Sequence, residues 1–187
     1  MVLSEKQILE GVERRDNRCQ SLFYRQHAPL LFGVALRYTH SYEDAKEVLQ
    51  DAFMKVFDNI KQYSGEGAIQ AWMARVVINQ ALTLHKLRRN RPTLYSLDDD
   101  NQEEMEDKSV AFSDTLTHEI LLRFIRELAD GYRIIFNLCE IDGYSHDEVA
   151  QILDCTASNS RAQLAKAKQI LRKKINDFTE KERKLKR

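Results

Sequence analysis

Asp142-Gly143-Tyr144-Ser145-His146-Asp147-Glu148-Val149-Ala150-Gln151-Ile152-Leu153-Asp154-Cys155-Thr156 carries a full set of helix punctuation in one short run. Asp142-Gly143 is a turn dipeptide, and Ser145 with Glu148 has the S-x-x-E spacing of a capping box. Val149, Ala150, Ile152 and Leu153 then make the inner face of a helix of about nine residues. Asp154 is one of the few non-glycine types that tolerates a left-handed backbone, and Thr156 can cap a new helix beginning near Ala157. A short helix, a three-residue turn and a longer helix describe a helix-turn-helix.

Outward from that run, Ala150 supplies the small side chain that crossing helices need. Ser160, Leu164, Ala167, Leu171 and Ile175 give the second helix a buried stripe. Its other side is polar and basic. Asn159, Arg161, Gln163 and Lys166 can reach a major groove, where Arg suits guanine, Gln suits adenine and Lys also serves phosphates. Arg172, Lys173 and Lys174 favour phosphate. His146 has no second His, Cys or carboxylate at ligand spacing on a shared face, so it reads as a solvent-side or phosphate-side donor and not as a metal ligand. Upstream, His118 to Leu128 and Asp130 to Leu138 read as two further helices, the second carrying Tyr132, Ile134, Ile135 and Leu138.

The charge balance of 29 basic and 29 acidic residues conceals a division into three. Residues 1–90 hold 13 Lys/Arg and 10 Asp/Glu, residues 91–116 hold 2 and 8, and residues 117–187 hold 14 and 11. Within the last part, residues 155–187 carry 11 basic and 3 acidic side chains, a charge that draws a polyanion by counterion release. The middle part, with Asp98-Asp99-Asp100 and Glu103-Glu104-Met105-Glu106-Asp107, has few apolar anchors and reads as an acidic, flexible linker. Its flanks read as two helical domains, 1–90 and 117–187, so the expected fold class is all-α. Only 6 Gly and 2 Pro argue against a turn-rich sandwich or barrel.

The longest apolar stretch, Ala28 to Leu36, is too short to cross a bilayer, and Glu5, Lys6 and Glu10 interrupt any secretory signal. The expectation is a cytoplasmic protein without membrane insertion. Cys19, Cys139 and Cys155 are odd in number and form no CxxC, so neither a disulfide framework nor a zinc site is indicated.

In the first domain, Ser4 and Gln7 have capping-box spacing, and a helix from about Cys19 to Tyr38 points Leu22, Phe23, Leu30 and Leu31 inward, with Pro29 a candidate kink. A helix starting at Ser41 carries Ala45, Val48, Leu49, Ala52, Phe53, Val56 and Phe57 as one apolar stripe. Away from it point Asp44, Glu47, Asp51 and Asp58, with Lys46 and Lys55 at the borders. By spacing alone that row is either a solvated face or a partner surface. Lys61 to Gly67 reads as a short exposed loop containing Tyr63, and a helix follows from about Ile69 to Arg89. Ile69, Trp72, Met73, Val76 and Val77 face inward, while Arg75, Asn79, Thr83, Lys86 and Arg89 share the opposite side. Cations interleaved with small hydrogen-bonding side chains suit a nucleic-acid strand.

Taken in order, these segments resemble the extracytoplasmic-function group of bacterial sigma factors, which keep two of the usual sigma domains. The resemblance rests on Tyr42 to Phe53 (YEDAKEVLQDAF), Ala71 to Asn79 (AWMARVVIN), Leu128 to Arg133 (LADGYR) and Glu140 to Ala150 (EIDGYSHDEVA). It covers most of the chain. Ala129 stands in place of a usual Pro, Ser158-Asn159-Ser160 in place of G-T-V, and Ile69 in place of a common Phe. The resemblance implies that Asp44, Glu47 and Asp51, with part of Phe53, meet core RNA polymerase. It implies that the loop with Tyr63 holds a flipped base of promoter DNA at the minus-ten element, and that Arg75, Asn79 and Thr83 line that strand. Asn159, Arg161, Gln163 and Lys166 would read the minus-thirty-five element as duplex. An anti-sigma protein is a further implied partner, whereas a cofactor, a metal and a small-molecule substrate are not.

Two other classes compete. A stand-alone helix-turn-helix regulator would bind a symmetric duplex site without polymerase. An enzyme acting on nucleic acid is disfavoured, because the carboxylates of the first domain form an outward row with no His, Lys or metal-ligand spacing to make a two-metal or acid-base site.

Overall fold

The computed structural model describes residues 3–90 and 118–185, and among these every regular element is a helix. The acidic linker lies outside the described residues. Two compact units are present, Met1–His85 and Lys86–Arg187.

The first unit is built from α1 (Glu5–Glu13), α2 (Asn17–Tyr38), α3 (Tyr42–Asn59) and α4 (Ile69–Asn90) as far as His85, with a 3-10 turn at Ile60–Gln62. Ser4 caps α1 as its spacing predicts: Gln7 N donates to Ser4 Oγ at 3.3 Å and Ser4 N to Gln7 Oε1 at 2.9 Å. Arg15, at φ 60, turns the chain into α2. Asp16 caps α2 by accepting from Cys19 N at 2.8 Å, and that bond holds its carboxyl below the usual range. At Gly11 the two helices meet so closely that a Cβ would stand 2.2 Å from Cys19 Sγ.

α2 continues through Pro29. The ring leaves the Arg25 carbonyl without its helical donor, but both residues are exposed, so water can take the place of the missing N–H. Leu30 is a correction. Burial along α2 steps by four residues through Cys19, Phe23, His27, Leu31 and Ala35, each step turning the face by about 40°. By the second half of the helix the core face has rotated away from Leu30, which is 56% exposed.

On α3 the expected stripe holds, from Ala45 to Val56 fully buried and Phe57 half-buried. α4 buries Ile69, Met73 and Val77 as expected, but continues through Ile78, Ala81 and Leu82, leaving Trp72 and Val76 half-buried on its flank.

His27 is 3% exposed and packs edge-on to Phe23 with ring centroids 4.6 Å apart. Burial lowers its pKa, against a smaller opposing pull from Glu5. The folded state therefore refuses a proton that the unfolded state accepts once the pH falls below about 6.5. Stability from this group is fully present above that value and declines as pH falls toward the lower folded pKa. The urea midpoint of this unit, read by fluorescence of the single tryptophan, Trp72, is expected to fall between about pH 7.5 and about pH 5.5. In His27→Gln the fall should be smaller; an equal fall in both proteins would remove His27 from the account.

The second unit comprises α5 (His118–Arg126), α6 (Asp130–Phe136), a π turn (Asn137–Ile141), α7 (His146–Leu153) and α8 (Ala157–Leu185). α5 ends two residues earlier than its periodicity suggests, and the helix after Asp130 runs on through the π turn as far as Ile141. Arg133, 2% exposed, accounts for the first of these. Its Nη1 donates to the carbonyls of Arg126 and Leu128, each at 3.1 Å, and its Nη2 pairs with Asp130. The guanidinium thus satisfies the C-terminal end of α5 from within the protein. Ile120, Phe124 and Leu128 pack on Ala167 and Leu171 of α8, with Phe178 closing the cluster against Phe124 at 5.9 Å. Among the described residues no helix is long and apolar enough to cross a membrane.

Candidate nucleic-acid interface

On α3, Glu47 and Asp51 are exposed and Asp44 is half-buried, all on the side away from the core. Asp58, the last of the row, accepts from Arg15 at 3.3 Å. The bordering cations are engaged sideways: Lys46 with Glu43 at 2.9 Å and over the Tyr42 ring, Lys55 with Gln80 at 2.7 Å. Sequence reasoning missed Met54, which is 60% exposed. The signal was available, since Met54 follows Glu47 by seven residues and Asp51 by three and so shares their face. Phe53 requires a correction. It is 3% exposed, covered by Tyr24 at 4.5 Å and Phe57 at 5.8 Å, so it supports the row from beneath and does not form part of its surface.

The loop expected at Lys61 to Gly67 begins at Tyr63, because Lys61 and Gln62 belong to the 3-10 turn. Tyr63 closes it: its hydroxyl donates to the Gly67 carbonyl at 2.6 Å and its ring lies 6.0 Å from Trp72. Gly65 and Gly67 hold φ of +81 and +75, conformations that side chains rarely adopt. Tyr63 is half-buried and acts as a strut, which leaves Ser64 to Ala68 as the exposed rim. Beneath the rim, Ile69 is buried. Arg75, Asn79, Thr83 and Lys86 follow along the outer side of α4, all exposed. Thr83 Oγ1 donates to the Asn79 carbonyl at 2.8 Å, so the hydroxyl faces a ligand as an acceptor. The Arg89 side chain lies outside the described residues.

The helix-turn-helix has the predicted caps. Ser145 N donates to Glu148 Oε2 at 2.8 Å and Glu148 N to Ser145 Oγ at 3.3 Å, and the Ser145 backbone bond holds the Glu148 carboxyl below its usual range. Asp154 ends α7 at φ 53 and ψ 55, and Thr156 Oγ1 accepts from Asn159 N at 3.1 Å. Asn159, Arg161 and Lys166 are exposed. Arg161 and Lys166 stand roughly 140° apart around the helix. The exposed Ala162 and Ala165 lie between them, small enough for close approach of a groove floor.

Gln163 is less available than its position suggests. It is half-buried, its Nε2 donates to Asn159 Oδ1 at 3.1 Å, and its Oε1 abuts Gly131 at the start of α6. Lys174 is also corrected: it bonds Glu127 at 2.6 Å and braces α8 against α5, whereas Arg172 and Lys173 remain exposed. His146 is turned partly inward, with Nδ1 2.9 Å from the buried Ser160 Oγ.

The sequence matches two models of one family, Sigma-70 region 2 over residues 23–93 and Sigma-70 region 4 over residues 118–171. It is 25% identical over 182 residues to the ECF RNA polymerase sigma-E factor of Haemophilus influenzae, covering 92% of this chain and 96% of that one. Against the sigma-E factor of Escherichia coli K12 the identity is again 25%, over 92% and 95% of the two chains. The RNA polymerase sigma-H factor of Pseudomonas aeruginosa is 23% identical, over 91% and 93%. Among solved structures, the fold is shared with the sigma factor RpoE of a complex with the anti-sigma factor NepR from Bartonella quintana, at a TM-score of 0.51 and 16% identity, covering 83% of this chain and 96% of that one.

The fold and both family regions define a promoter-specific transcription initiation factor. The chain belongs to the sigma-70 family, in its extracytoplasmic-function group.

Proposed function

We propose that this sigma factor binds core RNA polymerase chiefly through Asp44, Glu47 and Asp51 of α3, with Met54 adding apolar contact inside the acidic row and Phe53 holding the row in place. The observation that carries this reading is the pairing, in the first unit, of an outward acidic row on α3 with an outward row of Arg75, Asn79 and Thr83 on α4. The first suits a basic protein surface, the second a nucleic-acid strand.

In this reading residues 1–90 form the polymerase-binding and minus-ten domain, 91–116 the linker, and 117–187 the minus-thirty-five domain. The rim from Ser64 to Ala68, held by Tyr63, takes a base out of the non-template strand, and Arg75, Asn79 and Thr83 line its path. Unstacking costs a few kcal/mol and is offset by the pocket and the cations, so opening is driven by binding. The chain itself carries out no catalysis and works in the cytoplasm. Arg161 and Lys166 reach the duplex minus-thirty-five element, with Asn159 and Gln163 acting as a hydrogen-bonded pair. An anti-sigma protein that covers the α3 row would hold the factor inactive.

Gel filtration with bacterial core polymerase tests the first contact. The chain should co-elute with core at micromolar concentration, and the charge reversal Asp51→Lys should weaken the complex at least tenfold without changing helix content. Undiminished co-elution of Asp51→Lys together with Glu47→Lys would reject the α3 surface. For the duplex contact, Arg161→Ala should cost about 1–3 kcal/mol at one upstream base position. An equal loss on every template would contradict base reading by Arg161.

A further inference from the structure

The helix-turn-helix carries a polar cluster on its inner side that the contacts above leave unused. Ser160 is 0% exposed, and its Oγ lies 2.9 Å from His146 Nδ1. Cys139 Sγ, from the π turn, lies 3.7 Å from the same nitrogen. One imidazole edge thereby joins the π turn, the start of α7 and the first turn of α8. Burial pushes the Cys139 thiol up, so it keeps its proton at neutral pH. Nδ1 therefore faces an O–H at 2.9 Å and a weaker, longer S–H at 3.7 Å; with Nδ1 as the acceptor its single lone pair takes the hydroxyl proton, and the thiol adds a second, weaker contact. In that tautomer the ring proton sits on Nε2.

Nδ1 and Nε2 lie on different edges of the ring. His146 is half-buried with its Nδ1 edge turned in, so the Nε2 edge is the one left toward solvent. It is the first residue of α7, and in a helix-turn-helix the first helix crosses the DNA backbone. The Glu148 amide is already capped by Ser145 Oγ at 3.3 Å, so what the helix start offers an anion is the favourable end of its dipole and not a full set of open N–H groups. The Glu148 carboxylate is folded back onto Ser145, at 2.8 Å from its N and 2.7 Å from its Oγ. Asp147 is exposed and opposes an anion, so the contact depends on a directed N–H and not on net charge.

We propose that His146 is a backbone-phosphate contact for duplex DNA, donating through Nε2–H, and that Ser160 and Cys139 are positioning residues that fix its tautomer and ring orientation. This inference rests on the reading of α7 and α8 as the duplex-binding element. The contact adds affinity on any sequence and reads no base.

The test uses the full chain and a labelled duplex of mixed sequence, with binding followed by fluorescence anisotropy. His146→Asn keeps an acceptor near the Nδ1 position and removes the outer donor, and should weaken binding about tenfold. His146→Gln places an amide N–H near the Nε2 position and should stay within about twofold of the parent. Ser160→Ala should give an intermediate loss. Lys166→Ala serves as the control for duplex binding. A weakened Lys166→Ala beside an unchanged His146→Asn would overturn the His146 contact and leave the duplex reading standing. No loss in either variant would overturn the duplex reading itself. His146→Gln binding as poorly as His146→Asn would reject a directed donor. Independently of any variant, the side-chain nitrogen NMR spectrum of the parent should show the Nε2–H tautomer, which Ser160→Ala should convert to a mixture; an Nδ1–H parent would reject the positioning role.

Discussion

Arg133→Ala is expected to destabilise the second unit by about 3–5 kcal/mol, because it withdraws the buried cation on which two backbone carbonyls and one carboxylate converge. Those partners are the carbonyls of Arg126 and Leu128 and the carboxylate of Asp130. The end of α5 would lose its internal cap, and Ile120, Phe124 and Leu128 would lose their fixed position against α8. Single domains of this size are stable by about 5–15 kcal/mol, so the loss is a large fraction of the whole. Urea unfolding separates the two units in the intact chain. The only tryptophan is Trp72 of the first unit, so its fluorescence reports that unit, whereas far-ultraviolet circular dichroism reports both. Arg133→Ala should lower the dichroism midpoint for part of the helix signal and leave the Trp72 transition unmoved. A normal dichroism curve would show that the guanidinium can be dispensed with.

Gly11→Ala is expected to act on the other unit. A Cβ there would meet Cys19 Sγ at 2.2 Å and Cys19 Cβ at 2.6 Å, both anchored close to the α2 backbone. Sγ can turn about χ1, but Cβ is fixed to the backbone, so α1 must move. Overpacking of this kind costs about 1–3 kcal/mol, against which the better helix propensity of Ala returns somewhat under 1 kcal/mol. The Trp72 midpoint should fall while the remaining helix signal is kept. Combining Gly11→Ala with Cys19→Gly should cost less than the sum of the two single changes, since the second change removes both clashing atoms. Strict additivity would mean that the close approach of α1 and α2 does not govern stability here.

The parts of the fold that could be read from sequence are those set by local rules. The boxes at Ser4 and Ser145, the left-handed stop at Asp154 and the cap at Thr156 each depend on a few neighbouring residues, and each is found where expected. The α3 stripe was equally legible, since its buried residues recur at helical spacing from Ala45 to Val56. What escaped depends on residues distant in sequence or on slow rotation of a buried face. Leu30 is apolar and close to Leu31, yet the drift of the α2 core face leaves it outside. Nothing local to Arg133 marks it as buried; its role shows only where the end of α5 needs a donor. His146 reads as an outward side chain until Ser160, fourteen residues later, is found beneath it at 2.9 Å.

The same distinction holds for the candidate surfaces. Periodicity places Glu47, Asp51, Arg75, Asn79, Arg161 and Lys166 on outward faces, and all are exposed. It could not reveal that Phe53 is roofed by Tyr24, that Gln163 leans on Gly131, or that Lys174 is held by Glu127. In each case the competing partner lies outside the residue's own helix.

The central claim is that the chain directs core polymerase to promoters, and transcription reconstituted from purified parts tests it most directly. Core enzyme with this chain, supplied with a pool of randomised promoter templates, should yield transcripts from a restricted set of start sites that core alone does not use, and Asp51→Lys should need at least tenfold more protein to reach the same yield. The same transcripts from core alone, or none with the chain present at saturating concentration, would contradict the account.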